Sequence, residues 1–480
     1  MTFSSLVFLF CFLPVFFALY YATPSRYRNY FAVAGSMAFY MWEAPRFVFV
    51  LLGASAFDYT IAKLIHRRKA GDPARKRLLQ LSVITNLLIL FYFKYANFFV
   101  AQVQDLLTSF GAGPVPWVAV ALPIGISFFT FHKVSYIADV YNNTVEPAKD
   151  FPTFALYIFL FPQLIAGPII RYHDICDQFV ARQYSISILY QGLVRFCIGL
   201  AKKILIADQV SSLADKIFAT DLNTMPTSFI WLGIIAYAYQ IYFDFSGYSD
   251  MAIGLGKMMG FRFPENFNQP YTAVTITDFW RRWHMTLSSW MREYLYIPLG
   301  GNRGGTWHTY KNLWTVFLLS GLWHGASWSF IFWGAFHGLF LVIDKLFWID
   351  LSKRLPRLVN VTITFIVVLI GWGFFRVETL GQALGYLQHM WGFSGIDKST
   401  VNVELFSLLT HRAGVMMIVA TIICALPLIP SYARIREQYL ISREQPTQII
   451  FEGLSMVVLL TLSVIALANA KFVPFIYFRF

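Results

Sequence analysis

Charge is what this chain has least of. Of its 480 residues 13% are Asp, Glu, Lys or Arg, against 57% hydrophobic and 19% aromatic. A soluble domain carries about 25% charge, so a water-soluble globule of this length is excluded. Cysteine is scarce as well. Cys11, Cys176, Cys197 and Cys424 are scattered, with neither metal-ligand spacing nor an obvious disulfide set, and each reads as a small hydrophobe. No positive segment precedes the first apolar stretch, and Ala18 to Ala22 makes a poor cleavage site, so the N-terminus reads as a first span. No internal repeat, low-complexity tract or soluble domain interrupts the pattern.

What is present is apolar sequence in lengths that suit a bilayer, roughly 17–25 residues each. About a dozen such stretches run from Phe3–Tyr21 to Ile449–Leu467, among them Val115–Thr130, Phe151–Ile170, Leu313–Trp328 and Phe330–Phe347. Phe151–Ile170 is interrupted by Pro162, Gly167 and Pro168. Breaks of that kind survive at membrane depth only where the backbone is buried in protein or lines a cavity. The chain reads as an all-α polytopic membrane protein, with residues 1–468 as one membrane domain and 469–480 as an aromatic tail.

The formal net charge of +13 raises nucleic acid as a partner, but its placement argues for membrane topology. The basic residues fall between spans: Arg26 and Arg28, Lys63 to Arg77, Lys202 and Lys203, Lys353 to Arg357, and Arg434 to Arg443. Short basic loops mark the cytoplasmic side. Parity then puts the N-terminus outside and delivers the tail K-F-V-P-F-I-Y-F-R-F to the same outer face. An interfacial aromatic anchor accounts for such a tail equally well.

Between Tyr242 and Arg303 the composition changes. In W-R-R-W-H-M-T-L-S-S-W a continuous helix would place Trp280, Trp283 and Leu287 on one face beside His284, with Arg281 and Arg282 pointing elsewhere. Aromatics on one side and cations on another fit an interfacial helix. Its arginines suit phosphates, whether of lipid or substrate, because guanidinium binds them bidentately.

His324 lies inside the apolar stretch Leu313–Trp328. Ionisable residues there are costly and by default functional; the alternative is a neutral histidine satisfied by a backbone carbonyl. Gly321 and Gly325 flank it and allow close approach of a backbone or a substrate. At about 1.5 Å per residue it stands well into the membrane from Lys311, a depth that suits proton transfer across the bilayer. Asp244 and Asp250 read as a polar network in preference to a metal pair, and His337 as a packing residue. G-L-G-K-M-M-G at 254–260 has the wrong spacing for a dinucleotide fingerprint and reads as tight packing or a re-entrant turn.

Several motifs together resemble one family. D-F-W-R-R-W-H (278–284), Y-L-Y-I-P-L-G-G-N-R-G-G (294–305), G-L-W-H-G-A-S-W (321–328), F-P-Q-L-I-A-G-P-I-I-R-Y (161–172) and Y-F-D-F-S-G-Y-S-D-M-A-I-G-L-G (242–256) look like the membrane-bound O-acyltransferases. Among these they look like the bacterial branch that acetylates alginate and other envelope polymers. The resemblance implies a ring of helices with a thin centre, a cytoplasmic donor opening and an outer funnel, in the bacterial inner membrane. It puts the family's invariant histidine on His324 and the second on His284. Acetyl-coenzyme A is the implied donor substrate, with no tightly bound cofactor and no metal. Trp280, Arg281, Arg282, Asn302, Arg303 and Trp323 are the implied donor- or substrate-binding residues. The implied partners are membrane lipids, a serine-hydrolase-like extracytoplasmic acetyltransferase and a polysaccharide acceptor. The tail also looks like a C-terminal tyrosine motif of related envelope systems, which would make Tyr477 a transient acyl carrier. Peptidoglycan acetylation, aminoacyl transfer to teichoic acid, or a proton-coupled transporter of similar topology remain alternatives.

Overall fold

The computed structural model describes residues 2–392, 408–441, 445–469 and 475. Among these every regular element is helical. Six helices are long and apolar enough to cross a membrane: Phe47–His66, Pro73–Ser109, Trp328–Ser352, Arg357–Arg376, His411–Leu428 and Pro446–Asn469. Phe8–Ala22 and Phe151–Gln163 are shorter apolar helices. Pro446–Asn469 shows why the setting is lipid. It exposes Phe451 at 65%, Leu454 at 63% and Val457 at 56%, while Glu452 and Ser463 are buried. A helix with its polar residues inside and its apolar face outward is stable in hydrocarbon and not in water. The protein is a multi-pass membrane protein.

The chain forms two compact units, Met1–Gly192 with Leu255–Pro264, and Leu193–Gly254 with Glu265–Phe480. In the first, a seam of phenylalanines from separate segments fills the interior. Phe16 meets Phe161 at 5.0 Å, and Phe39 meets Phe161 at 5.5 Å. A buried polar cluster ties three helices together: Asp58 accepts from Ser82 and Asn86, and Lys133 stands 3.7 Å from it. The break expected near Pro162 is present. Phe151–Phe159 ends at Leu160, and the buried segment that follows is held where the Tyr157 hydroxyl donates to the Ile170 carbonyl.

Val115–Thr130 is not a span. Residues 112–123 adopt no regular structure, and the helix begins only at Ile126. Pro114, Pro116 and Pro123 remove backbone donors that a helix would need. The freed groups turn to the Pro73–Ser109 helix, where Asn97 both donates to the Val120 carbonyl and accepts from its N–H. At the other end of this unit Gly256 reads as the tight-packing glycine expected, since a Cβ there would lie 2.7 Å from the Phe263 ring.

The second unit overturns part of the charge reading. Lys203 is 3% exposed and pairs with Asp244 and Asp208; Lys202 pairs with Asp250, which also holds Arg195. These lysines belong to the interior network that contains Asp244 and Asp250, and they are not a topogenic loop. Thr306–His324 and Trp328–Ile343 form a helical hairpin with a three-residue turn. Their contact runs along glycines: a Cβ on Gly321 would lie 2.3 Å from the Phe330 carbonyl, and one on Gly334 would lie 2.3 Å from that of Phe317.

Candidate active site

His324 is the last residue of its helix, not a mid-span residue. Gly325 follows in extended conformation and breaks the ladder. The axial distance from Lys311 is unaffected, but the imidazole sits at the hairpin turn, 5% exposed. Aromatic rings fix it: Trp323 at 4.8 Å, Trp333 at 4.9 Å and Phe375 at 5.2 Å. The flanking glycines serve the hairpin, since a Cβ on Gly325 would strike the Phe330 ring at 2.1 Å.

Trp333 passes the packing on. Its indole meets His337 at 5.0 Å, and His337 meets Trp280 at 5.0 Å with planes at 89°. His337 is 1% exposed, and a Cβ on Gly371 would lie 2.6 Å from its Nε2. The packing role expected of it matches this setting.

The helix expected through W-R-R-W-H-M-T-L does not continue. Ile276–Arg282 stops, Trp283 is extended, His284 takes the left-handed region at φ 44°, and Met285–Met291 starts afresh. The cause is a neighbouring strand of chain that competes for the backbone. The Asn268 N–H donates to the Arg282 carbonyl, and the Met285 N–H donates to the Asn266 carbonyl. The result turns the His284 ring inward, 1% exposed, edge-on to Phe245 at 4.7 Å. Its Nδ1 lies 3.0 Å from Asn266 Oδ1.

Trp280, Arg281 and Asn302, three of the donor-binding candidates, line one cavity of about 400 Å³ with Arg292, Tyr296 and Lys345. Asn302 accepts from both Tyr296 and Lys345 there. Arg282 instead pairs with Asp278, Arg303 is exposed outside the lining, and Trp323 lies beside His324. A second cavity, about 550 Å³, is bordered by Arg195, Lys202, Asp250, Asn266 and Arg436. Met285, next to His284, lines both.

Two residues of this region were not singled out from the sequence. Asn266 lies in R-F-P-E-N-F-N-Q-P-Y (262–271), inside the stretch of changed composition, but only the tertiary fold brings it to His284. Phe475 belongs to the tail. It is 3% exposed and packs 4.8 Å from Tyr248 and 6.1 Å from Phe245. Tyr477 lies outside the described residues.

Comparison with known proteins identifies the family. Residues 73–372 match the membrane-bound O-acyltransferase family. The chain belongs to that family. A probable alginate O-acetylase, AlgI, of Pseudomonas aeruginosa is 47% identical over 402 residues, covering 84% of this chain and 77% of the relative. A second, from Pseudomonas putida, is 41% identical with both chains fully covered. A peptidoglycan O-acetyltransferase of Helicobacter pylori is 37% identical, covering 88% of this chain and 86% of its own. This O-acyltransferase is an enzyme of O-acetyl transfer. The family match takes in His284, His324 and every donor-binding candidate, while Phe475 and Tyr477 fall beyond it.

Proposed function

We propose that this enzyme O-acetylates an extracytoplasmic polysaccharide, an alginate-like exopolysaccharide, using cytoplasmic acetyl-coenzyme A. The relatives named for alginate and for peptidoglycan support a polysaccharide acceptor. In this reading the protein lies in the bacterial inner membrane as a ring of helices with a thin centre, N-terminus and tail outside. Donor enters from the cytoplasm by the cavity of Trp280, Arg281 and Asn302. A serine-hydrolase-like partner completes transfer outside.

One observation supports the mechanism: the one described residue of the tail, Phe475, is seated in the interior. Phe475 is buried against Phe245, and Phe245 stacks edge-on to His284. An interfacial anchor would leave this ring at the surface. Tyr477 follows two positions later in the sequence. As carrier, its phenol oxygen attacks the thioester carbonyl, His324 accepts the phenolic proton as general base, and the C–S bond breaks. The proton then passes to the leaving thiolate. Attack of an acceptor hydroxyl on the tyrosyl ester releases the phenol and completes transfer.

Intact-mass measurement after incubation with isotope-labelled acetyl-coenzyme A tests this. Wild type should gain one acetyl group, and His324→Ala and Tyr477→Phe should gain none. Unlabelled protein that still consumes donor when partner and glycan are added would replace the tyrosyl carrier with direct transfer. Acceptance of peptidoglycan in place of alginate would move the acceptor to the second relative's class. No donor consumption at all, with proton-coupled uptake lost in His324→Ala, would favour a transporter.

A further inference from the structure

Asn266 and His284 carry an assignment of proton position. Asn266 is 1% exposed, and its Oδ1 lies 3.3 Å from the Thr286 backbone nitrogen and 2.9 Å from Thr286 Oγ1. A backbone N–H can only donate, so the atom facing it is the amide oxygen and not the NH₂ group. The amide's Nδ2 points the other way and donates to Ser249 Oγ at 3.0 Å. His284 Nδ1, 3.0 Å from that same oxygen, therefore faces an acceptor and carries the N–H. A neutral imidazole has one N–H. Nε2 is then a bare lone pair, buried and with no hydrogen-bond partner among the described residues.

The carboxylates of this region are committed elsewhere. Asp250 is held by Arg195 and Lys202, Glu265 by Arg195, and Asp244 by Lys203; Asp278, on the preceding helix, is held by Arg282. Phe245, Ser249 and Thr286 supply no charge. Left-handed backbone at His284 costs energy in a non-glycine residue, and the hydrogen bonds to Asn266 are what hold it.

We propose that Asn266 is a positioning residue for the acyl transfer, locking His284 as the Nδ1–H tautomer so that its Nε2 is a proton acceptor in addition to His324. The need for two acceptors rests on the tyrosyl-carrier reading above. Two hydroxyls react in turn, the tail phenol and then the acceptor, and each must lose a proton. Phe475 packs on Phe245, whose ring stands edge-on to His284. In the first step His324 takes the phenolic proton, as above. In the second, His284 Nε2 takes the acceptor's proton as the acceptor oxygen bonds to the acyl carbon, and the departing phenolate recovers it.

The test combines ring-nitrogen NMR of ¹⁵N-histidine-labelled full-length protein in lipid with steady-state turnover of acetyl-coenzyme A. The His284 signal is identified by its loss in His284→Gln. Wild type should show a protonated Nδ1 and an unprotonated Nε2. Asn266→Ala should populate both tautomers and lower kcat by about tenfold to a hundredfold, as removal of an orienting partner does elsewhere, with KM for donor nearly unchanged. Asn266→Asp keeps an acceptor oxygen, so the tautomer should persist, much of kcat should return, and the acidic limb of the kcat–pH profile should move upward because a carboxylate favours the imidazolium. An Nε2–H signal in wild type, or wild-type tautomer and kcat in Asn266→Ala, overturns the proposal. Should the alanine variant not fold, Asn266→Asp decides alone: an unmoved limb overturns it. Full activity in Tyr477→Phe would remove the carrier while leaving the tautomer result to be read on its own.

Discussion

The imidazole of His324 stands edge-on to the indole of Trp333, ring centres 4.9 Å apart and planes at 84°. The same indole contacts His337 and Phe375, so one side chain orients the proposed general base. Loss of a general base costs roughly 10²–10⁴ in rate, and His324→Ala should fall in that range with folding retained. Trp333→Leu keeps the base but frees its ring, so it should lower kcat with a smaller effect on donor KM. Donor turnover in reconstituted vesicles distinguishes the two.

The hairpin that carries His324 depends on two backbones touching. Gly334→Ala puts a Cβ 2.3 Å from the Phe317 carbonyl, whereas Gly338→Ala meets nothing nearer than 3.5 Å. Overpacking costs about 1–3 kcal/mol. Thermal unfolding in detergent should show a lowered Tm for Gly334→Ala and almost none for Gly338→Ala; equal effects would remove close packing as the cause.

Lys133 and Asp58 are 2% and 0% exposed. Removing one partner strands the other's charge, at about 3–5 kcal/mol, whereas removing both is far milder. Lys133→Met should therefore destabilise strongly, and Lys133→Met with Asp58→Asn should recover much of the loss. The same unfolding assay reads both.

His173 lies outside the candidate spans, with Nδ1 2.9 Å from Asp139 Oδ2. That hydrogen bond raises its pKa above the ordinary 6.5, against an opposing effect of burial. A raised folded value means the protonated form is favoured by folding. The stabilisation is complete below the unfolded pKa and is lost as pH rises through the folded one. Tm should decline over that window in wild type and stay flat in His173→Gln.

The membrane character of this enzyme was legible in its sequence, because hydrophobicity and low charge are properties of a window of neighbouring residues. So was the break at Pro162, and the histidines at W-R-R-W-H and W-H-G stood out as candidates. Proline chemistry was present at 114, 116 and 123 too, yet Val115–Thr130 read as a span because apolar content masked the missing donors. Lys202 and Lys203 read as a surface loop because nothing local announces Asp250 and Asp244.

What the tertiary structure alone decided is orientation. His284 and Asn266 are 18 residues apart, and Phe245 and Phe475 come from opposite ends of this unit. The helix through Trp283 fails since the Asn266–Asn268 segment takes its backbone hydrogen bonds, a competition no periodicity records. Residue type and spacing determine what a side chain is able to do. Which lone pair it presents, and to what, depends on contacts made only when distant segments fold together.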